Sequence, residues 1–365
     1  MIPWAKPTLV GNEQAYVRDA LESTWISGGA YVDRFERDFA AYCGARFGVA
    51  TSNGTTALQL TFAALGIGPG DEVIVPAFTF AAPANVAIHA GARPVLVDVD
   101  PTTWGIDPER VAAAMTPRTR AIVAVHVYGQ PCDMDAIQAV AARGGVAVIE
   151  DAAEAHGSRY RGRSVGTMGT AGCFSFHAAK TVTTGEGGII LTGDETLAAR
   201  LRTLRDHGMR KGEPYWHDAI GFNYRLTNYQ AAMGCAQLER IGELLARRRQ
   251  IEQQYRLHLK DVRGLGTHAE TPGAERVPWG HPLLVDPALF GMDRDALRRQ
   301  LAARGVETRP GFHPLHTLPV YGFTGRFPSA EHLGTHVLSL PTFHGLSEAD
   351  VKLVADAIRA AQSAA

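Results

Sequence analysis

One lysine in this sequence sits where a lysine is expensive to keep. Lys180 follows Phe174-Ser175-Phe176-His177-Ala178-Ala179 and precedes Thr183-Thr184-Gly185-Glu186-Gly187-Gly188, a small-residue loop between two apolar, strand-like runs. Burial disfavours the ammonium ion and lowers a lysine's pKa, which is what Schiff-base chemistry requires of an amine. The glycines that follow leave room for a bulky group. A surface-loop lysine is the ordinary alternative, and His177 is either a base or a structural residue.

Three further groups fall where strand-like runs end. Asp151 closes the run VAVIED, and a carboxylate there can hold the protonated ring nitrogen of a cofactor or simply cap the next helix. Ser52-Asn53-Gly54-Thr55-Thr56 follows a strand-like run and opens a helical one, a place for backbone N–H groups to meet a phosphate or for an ordinary cap. Gly221 to Asn228 precedes a long helical stretch and reads on its own as a helix start.

The elements that must position these groups are strands covered on both faces. The runs 48–51, 72–77, 93–100, 120–127, 146–151, 171–177 and 187–193 are mostly apolar throughout and not alternating, and helical segments separate the earlier ones. That is the pattern of a mainly parallel sheet in a three-layer α/β/α unit, whose ligands bind beyond the carboxyl ends of the strands. A helical stretch from Asn228 to Leu259 leads to a Gly- and Pro-richer region with helices expected at 293–303 and 347–361. The expected division is 1–245 for the large unit, N-terminal segment included, and 246–365 for a smaller α+β unit.

Bulk properties exclude several classes. The 365 residues are 45% hydrophobic and 20% charged with formal net charge −1, so no nucleic-acid or membrane partner is expected. Four scattered cysteines make neither a disulfide framework nor a zinc site, and no signal peptide or ~20-residue apolar span is present; a cytoplasmic protein is expected. Gly66-Ile67-Gly68-Pro69-Gly70 precedes a strand and reads as a turn, not as a dinucleotide fingerprint. His313 and His316 lack a helix and a nearby Glu, so no metal is expected.

Taken together, SNGTTAL (52–58), GDEVIVPAFTF (70–80), PVLVDVDP (94–101), VHVYGQPCDMDAI (125–137), IEDAAEAHG (149–157), FSFHAAKTVTTGEGG (174–188) and GFNYRLTNYQAAMGCAQLE (221–239) resemble the DegT/StrS sugar-nucleotide aminotransferases. These are fold-type I enzymes dependent on pyridoxal 5'-phosphate, which cycles through pyridoxamine 5'-phosphate, and the resemblance covers essentially the whole chain. It implies that Lys180 bears the cofactor and shuttles the proton, and that Asp151 pairs with the pyridine nitrogen. Glu154, where many relatives carry Gln, would lie near the 3-hydroxyl. Gly54, Thr55 and Ser175 would bind the phosphate, and Phe80 would stack on the ring. Asn223 would reach the phosphate of the partner subunit in a homodimer with shared sites. Trp25, His177, His313 and His316 fall to the substrate side.

The resemblance also implies the reaction: an amino group passes from an amino acid, L-glutamate, to a nucleotide-linked keto-sugar. Thr183 to Gly188, FNYRLTN and Phe312-His313-Pro314-Leu315-His316 point to C4 of a GDP-linked 4-keto-6-deoxymannose, although HAAK departs from the FGNK-like loop of such enzymes. Other keto-sugars and a cyclitol ketone remain open, whereas a cofactor-binding regulator is disfavoured by Lys180, Asp151 and Ser175 together. A sugar dehydratase of the same fold, with His in place of the lysine, is disfavoured by Lys180.

Overall fold

The structure is a computed structural model that describes residues 1–363. Seven strands build its main sheet: β1 (Phe47–Thr51), β2 (Glu72–Pro76), β3 (Arg93–Val97), β4 (Thr119–Val125), β5 (Ala147–Asp151), β8 (Ala171–Ser175) and β9 (Gly188–Thr192), in the order β1-β9-β8-β5-β4-β2-β3. The five from β8 to β3 are parallel, while β9 runs antiparallel to both β1 and β8. Each apolar run read from the sequence supplies one of these strands.

Successive side chains of a strand point to opposite faces, and both faces are buried here. Ile74 and Ile122 join one core, whereas Val73, Val75, Ala121 and Val123 join the other. The first core is closed by α2 (Ala30–Cys43), α5 (Pro108–Ala114), α6 (Met134–Gly144) and α8 (Asn228–Glu239). The second is closed by α3 (Gly54–Leu65), α4 (Ala82–His89) and α7 (Glu195–Arg205). Helix α1 (Glu13–Glu22) lies along α8. The result is three layers, as the strand–helix alternation requires.

Two smaller sheets complete the fold. One joins β6 (Arg159–Tyr160), β7 (Arg163–Ser164) and β11 (Ala274–Glu275); the other has the order β10 (Leu265–Gly266), β12 (His281–Val285), β14 (Val337–Leu340), β13 (Arg309–Pro310). The second packs with α10 (Pro287–Phe290), α11 (Arg294–Ala303) and α13 (Glu348–Ser363) around a core of its own, and α12 (Pro328–His336) lies against β12.

The long helical stretch is two helices, α8 and α9 (Ile241–Leu259), broken at Arg240 with φ −109° and ψ 11°. Helix α8 docks on α1 and α2, whereas α9 docks on α13, and the break lets each follow its own partner. Residues 245 and 246 both lie inside α9. That helix buries Leu244 and Leu245 in the core of the main sheet, and Ile251, Tyr255 and Leu259 in the core of the small one. The first residues, grouped by sequence with the large unit, pair with the small one. Ile2 bridges Val306, and the Trp4 indole N–H donates to Ser339 Oγ at 3.1 Å. No helix among the described residues is long and apolar enough to cross a membrane.

Candidate active site

The carboxyl ends of the parallel strands open into a cavity of about 840 Å³ lined by Gly54, Thr55, Phe80, Asp151, Glu154, Ser175, His177, Lys180 and His313, among others. Asp151 is the last residue of β5 and Ser175 the last of β8, so neighbouring strands deliver both to one edge.

One wall is the start of α3. Asn53 caps the helix: its side chain accepts from the Thr56 N–H at 2.8 Å, and Thr56 Oγ1 accepts from the Asn53 N–H at 3.1 Å. The first N–H groups of a helix have no partner within it, which leaves those of Gly54 and Thr55 for the cavity. A Cβ on Gly54 would come 2.8 Å from the Cβ of Ser175, so glycine is what lets the helix start close onto β8. The product is a helix N-terminus beside a hydroxyl, a natural seat for a phosphate.

The same cavity holds a buried ionic group. Lys180 Nζ is 3.6 Å from Glu154 Oε1, and the two side chains are 12% and 9% exposed. Glu154 also accepts from the Tyr128 N–H at 2.8 Å, and Asp151 from the Ala153 N–H at 3.1 Å. Burial pushes both carboxyls up from their ordinary range, and the Lys180 charge opposes the rise. Burial also pulls the Lys180 amine down, against the pull of Glu154 and Asp151. Two carboxyl groups thus face one amine, and the Arg248 guanidinium acts on that amine as well. A carboxyl group at the end of β5 is a suitable partner for a basic ring nitrogen.

Three of the residues assigned from sequence lie outside this cavity in the single chain. Trp25 is 73% exposed, and Asn223 is exposed on the strand-like segment that bridges Asp206. His316 lies outside it as well: its Nε2 lies 3.1 Å from Glu331 Oε1 and its ring packs on Phe327. Of the run 312–316, Phe312 and His313 line the cavity and the other three residues do not.

Residues 7–359 match the DegT/DnrJ/EryC1/StrS aminotransferase family. The chain belongs to that family. It is 47% identical over 359 residues to a GDP-perosamine synthase of Caulobacter vibrioides, covering 97% of this chain and 96% of the relative. Among solved structures it resembles the aminotransferase TlmJ of Streptoalloteichus hindustanus with a TM-score of 0.95 and 37% identity, covering 100% of this chain and 99% of that one. It resembles DesI, solved in the presence of its TDP-sugar product, with a TM-score of 0.93 and 37% identity over 99% and 93% of the two chains.

In this DegT-type aminotransferase the cavity has walls that no local sequence signal announced. Trp279 reaches it from the segment between β11 and β12, Trp4 from the chain start, and Arg309 from β13. Thr79, another residue of the wall, is 2% exposed, and its buried hydroxyl has no protein partner among the described residues. Tyr128 carries a positive φ of 52° just beyond β4 and stacks on Phe312 at 5.7 Å. A strained non-glycine residue of this kind is common near binding sites, but nothing in the run VHVYGQ marks the angle.

Proposed function

We propose that this aminotransferase holds pyridoxal 5'-phosphate on Lys180 and moves an amino group from L-glutamate to C4 of a GDP-linked 4-keto-6-deoxymannose, giving a perosamine-type product. The observation that carries the reading is Lys180 itself: a desolvated amine in a cavity that is also lined by a helix N-terminus and by Asp151 and Glu154. The likeness to a GDP-perosamine synthase supports the sugar, and that to an enzyme with a TDP-sugar product supports the wider substrate class.

The residues divide the work by chemistry. The N–H groups of Gly54 and Thr55 and the Ser175 hydroxyl bind the phosphate. Phe80, 60% exposed at the cavity wall, covers the ring face. Asp151 holds the ring nitrogen in its protonated form, and Glu154, fixed by the Tyr128 N–H, faces the 3-hydroxyl. When bound, the cofactor supplies the electron sink that lets the donor's Cα–H bond break. Lys180 takes that proton and, in the second half of the cycle, delivers one to the sugar carbon. His177 and His313 stand at the mouth, where the sugar enters.

The active form in this reading is a homodimer in which Asn223 serves the partner's phosphate. One chain alone exposes Trp25, Ile26, Tyr215, Trp216 and Ile220, an amount of bare apolar surface that favours a covering subunit.

The test is spectroscopic and then chemical. The purified protein should show a visible Schiff-base band that glutamate bleaches and the correct keto-sugar restores. In a panel of nucleotide-linked 4-keto and 3-keto sugars, GDP-4-keto-6-deoxymannose should turn over with the highest kcat/KM, and NMR should place nitrogen at C4. A better TDP- or UDP-linked substrate refutes the GDP assignment, and a protein that shows no visible band even after stripping and incubation with pyridoxal 5'-phosphate refutes the cofactor assignment.

A further inference from the structure

If Lys180 is the Schiff-base lysine, its amine is displaced from the cofactor whenever the cofactor carries the donor's or the sugar's nitrogen instead. The fold holds a defined place for that freed amine. Lys180 Nζ lies 3.9 Å from the centre of the Trp279 ring, over its face, and 3.6 Å from Glu154 Oε1.

Trp279 is fixed on every side. Its indole N–H donates to the Ala179 carbonyl at 3.0 Å, and its own carbonyl accepts from the buried Arg248. The Trp4 ring meets it edge-on at 5.1 Å, and Tyr128 stacks on it at 6.3 Å. Because Ala179 precedes Lys180, the indole and the lysine loop are tied together. We propose that Trp279 is a positioning residue that receives the freed Lys180 amine on its ring face and, with Glu154, keeps it within reach of the reacting carbons. This rests on the reading of Lys180 as the Schiff-base lysine.

An aromatic face attracts a cation more strongly where water is excluded. The charged groups facing the amine are Glu154 and Asp151, which favour its protonated form, and Arg248, which opposes it. His156, buried behind, is held neutral by its burial, with its pKa down at about 3. The indole therefore favours the ammonium without adding a charge. A non-aromatic side chain of similar bulk would keep the site dry and remove that preference, so the amine would lose its proton at lower pH.

The experiment uses the holoenzyme. Borohydride reduction and peptide mapping first locate the Schiff base; a label on another lysine refutes the reading on which this inference rests. The cofactor is then held in its amino form by excess glutamate, which frees Lys180. Trace labelling with acetic anhydride across a pH series, with exposed Lys260 as the internal reference, gives the midpoint of the amine by mass spectrometry. Trp279→Leu should lower that midpoint by roughly half to one and a half pH units, with the visible band before glutamate retained, and Trp279→Phe should fall between it and wild type. Trp279→Met replaces the leucine variant if that variant does not fold. A non-aromatic midpoint equal to or above that of wild type, or a phenylalanine variant no better than leucine, overturns the proposal.

Discussion

Gly54 and Ser175 stand so close that a Cβ on the first would lie 2.8 Å from the Cβ of the second. One residue opens α3 and the other ends β8, so the contact fixes how far the helix N-terminus reaches over the edge of the sheet. Gly54→Ala must push the helix start away from Ser175 or move the strand end. Cofactor affinity, followed by the visible band during titration of the stripped protein, should weaken by about tenfold or more, with a stability loss of about 1–3 kcal/mol from overpacking. Unchanged affinity would remove the phosphate seat from this helix.

Asp151→Asn keeps the shape of the strand end and removes its charge. The variant should still bind cofactor, yet lose about 2–4 kcal/mol of barrier stabilisation, or roughly 30- to 1000-fold in kcat. Steady-state kinetics decide it: turnover close to wild type would deny Asp151 its partner nitrogen.

Glu72 gives a pH signature remote from the cavity. Burial alone would raise its carboxyl, but Arg93 at 2.6 Å, Thr116 at 2.7 Å and Arg118 at 2.7 Å bring it from 4.5 down to about 2. A depressed folded-state pKa stabilises the protein above the unfolded value, and that stability is lost as pH falls from 4.5 towards 2. Glu72→Gln should therefore destabilise the protein at pH 6, by about 1–2 kcal/mol because the guanidinium partners are solvent-exposed, and match wild type near pH 2. Urea unfolding at both pH values checks the sign. A difference that persists in acid would assign the effect to packing.

The dimer reading makes its own prediction. Lys180→Ala and Asn223→Asp, each inactive alone, should complement when subunits are exchanged, because a mixed dimer has one intact and one doubly broken site. Random pairing makes half the dimers mixed, so activity should return to about a quarter of wild type if the sites are independent. Subunit exchange proven by mass tags, with no recovered activity, would place Asn223 in its own chain's site or outside it.

Much of this enzyme was legible along the chain because its strands are buried on both faces and so read as apolar runs. All seven main strands stood out for that reason, and with them the strand ends that carry Asp151 and Ser175 and the loop that carries Lys180. Local rules also placed the start of α3, though its cap is Asn53 and not a Ser or Thr, and the helices at 294–303 and 348–363, since caps and periodicity act over a few residues. Sequence spacing is silent on what packs across space. The break at Arg240 arises because α8 and α9 dock on different partners. The pairing of the chain start with Val306 depends on backbone hydrogen bonds between segments three hundred residues apart. Trp279 and Trp4 look like any other aromatic residues in the sequence. Only tertiary packing sets the Trp279 ring 3.9 Å from Lys180 Nζ and turns His316 towards Glu331, because those contacts join segments that share no local signal.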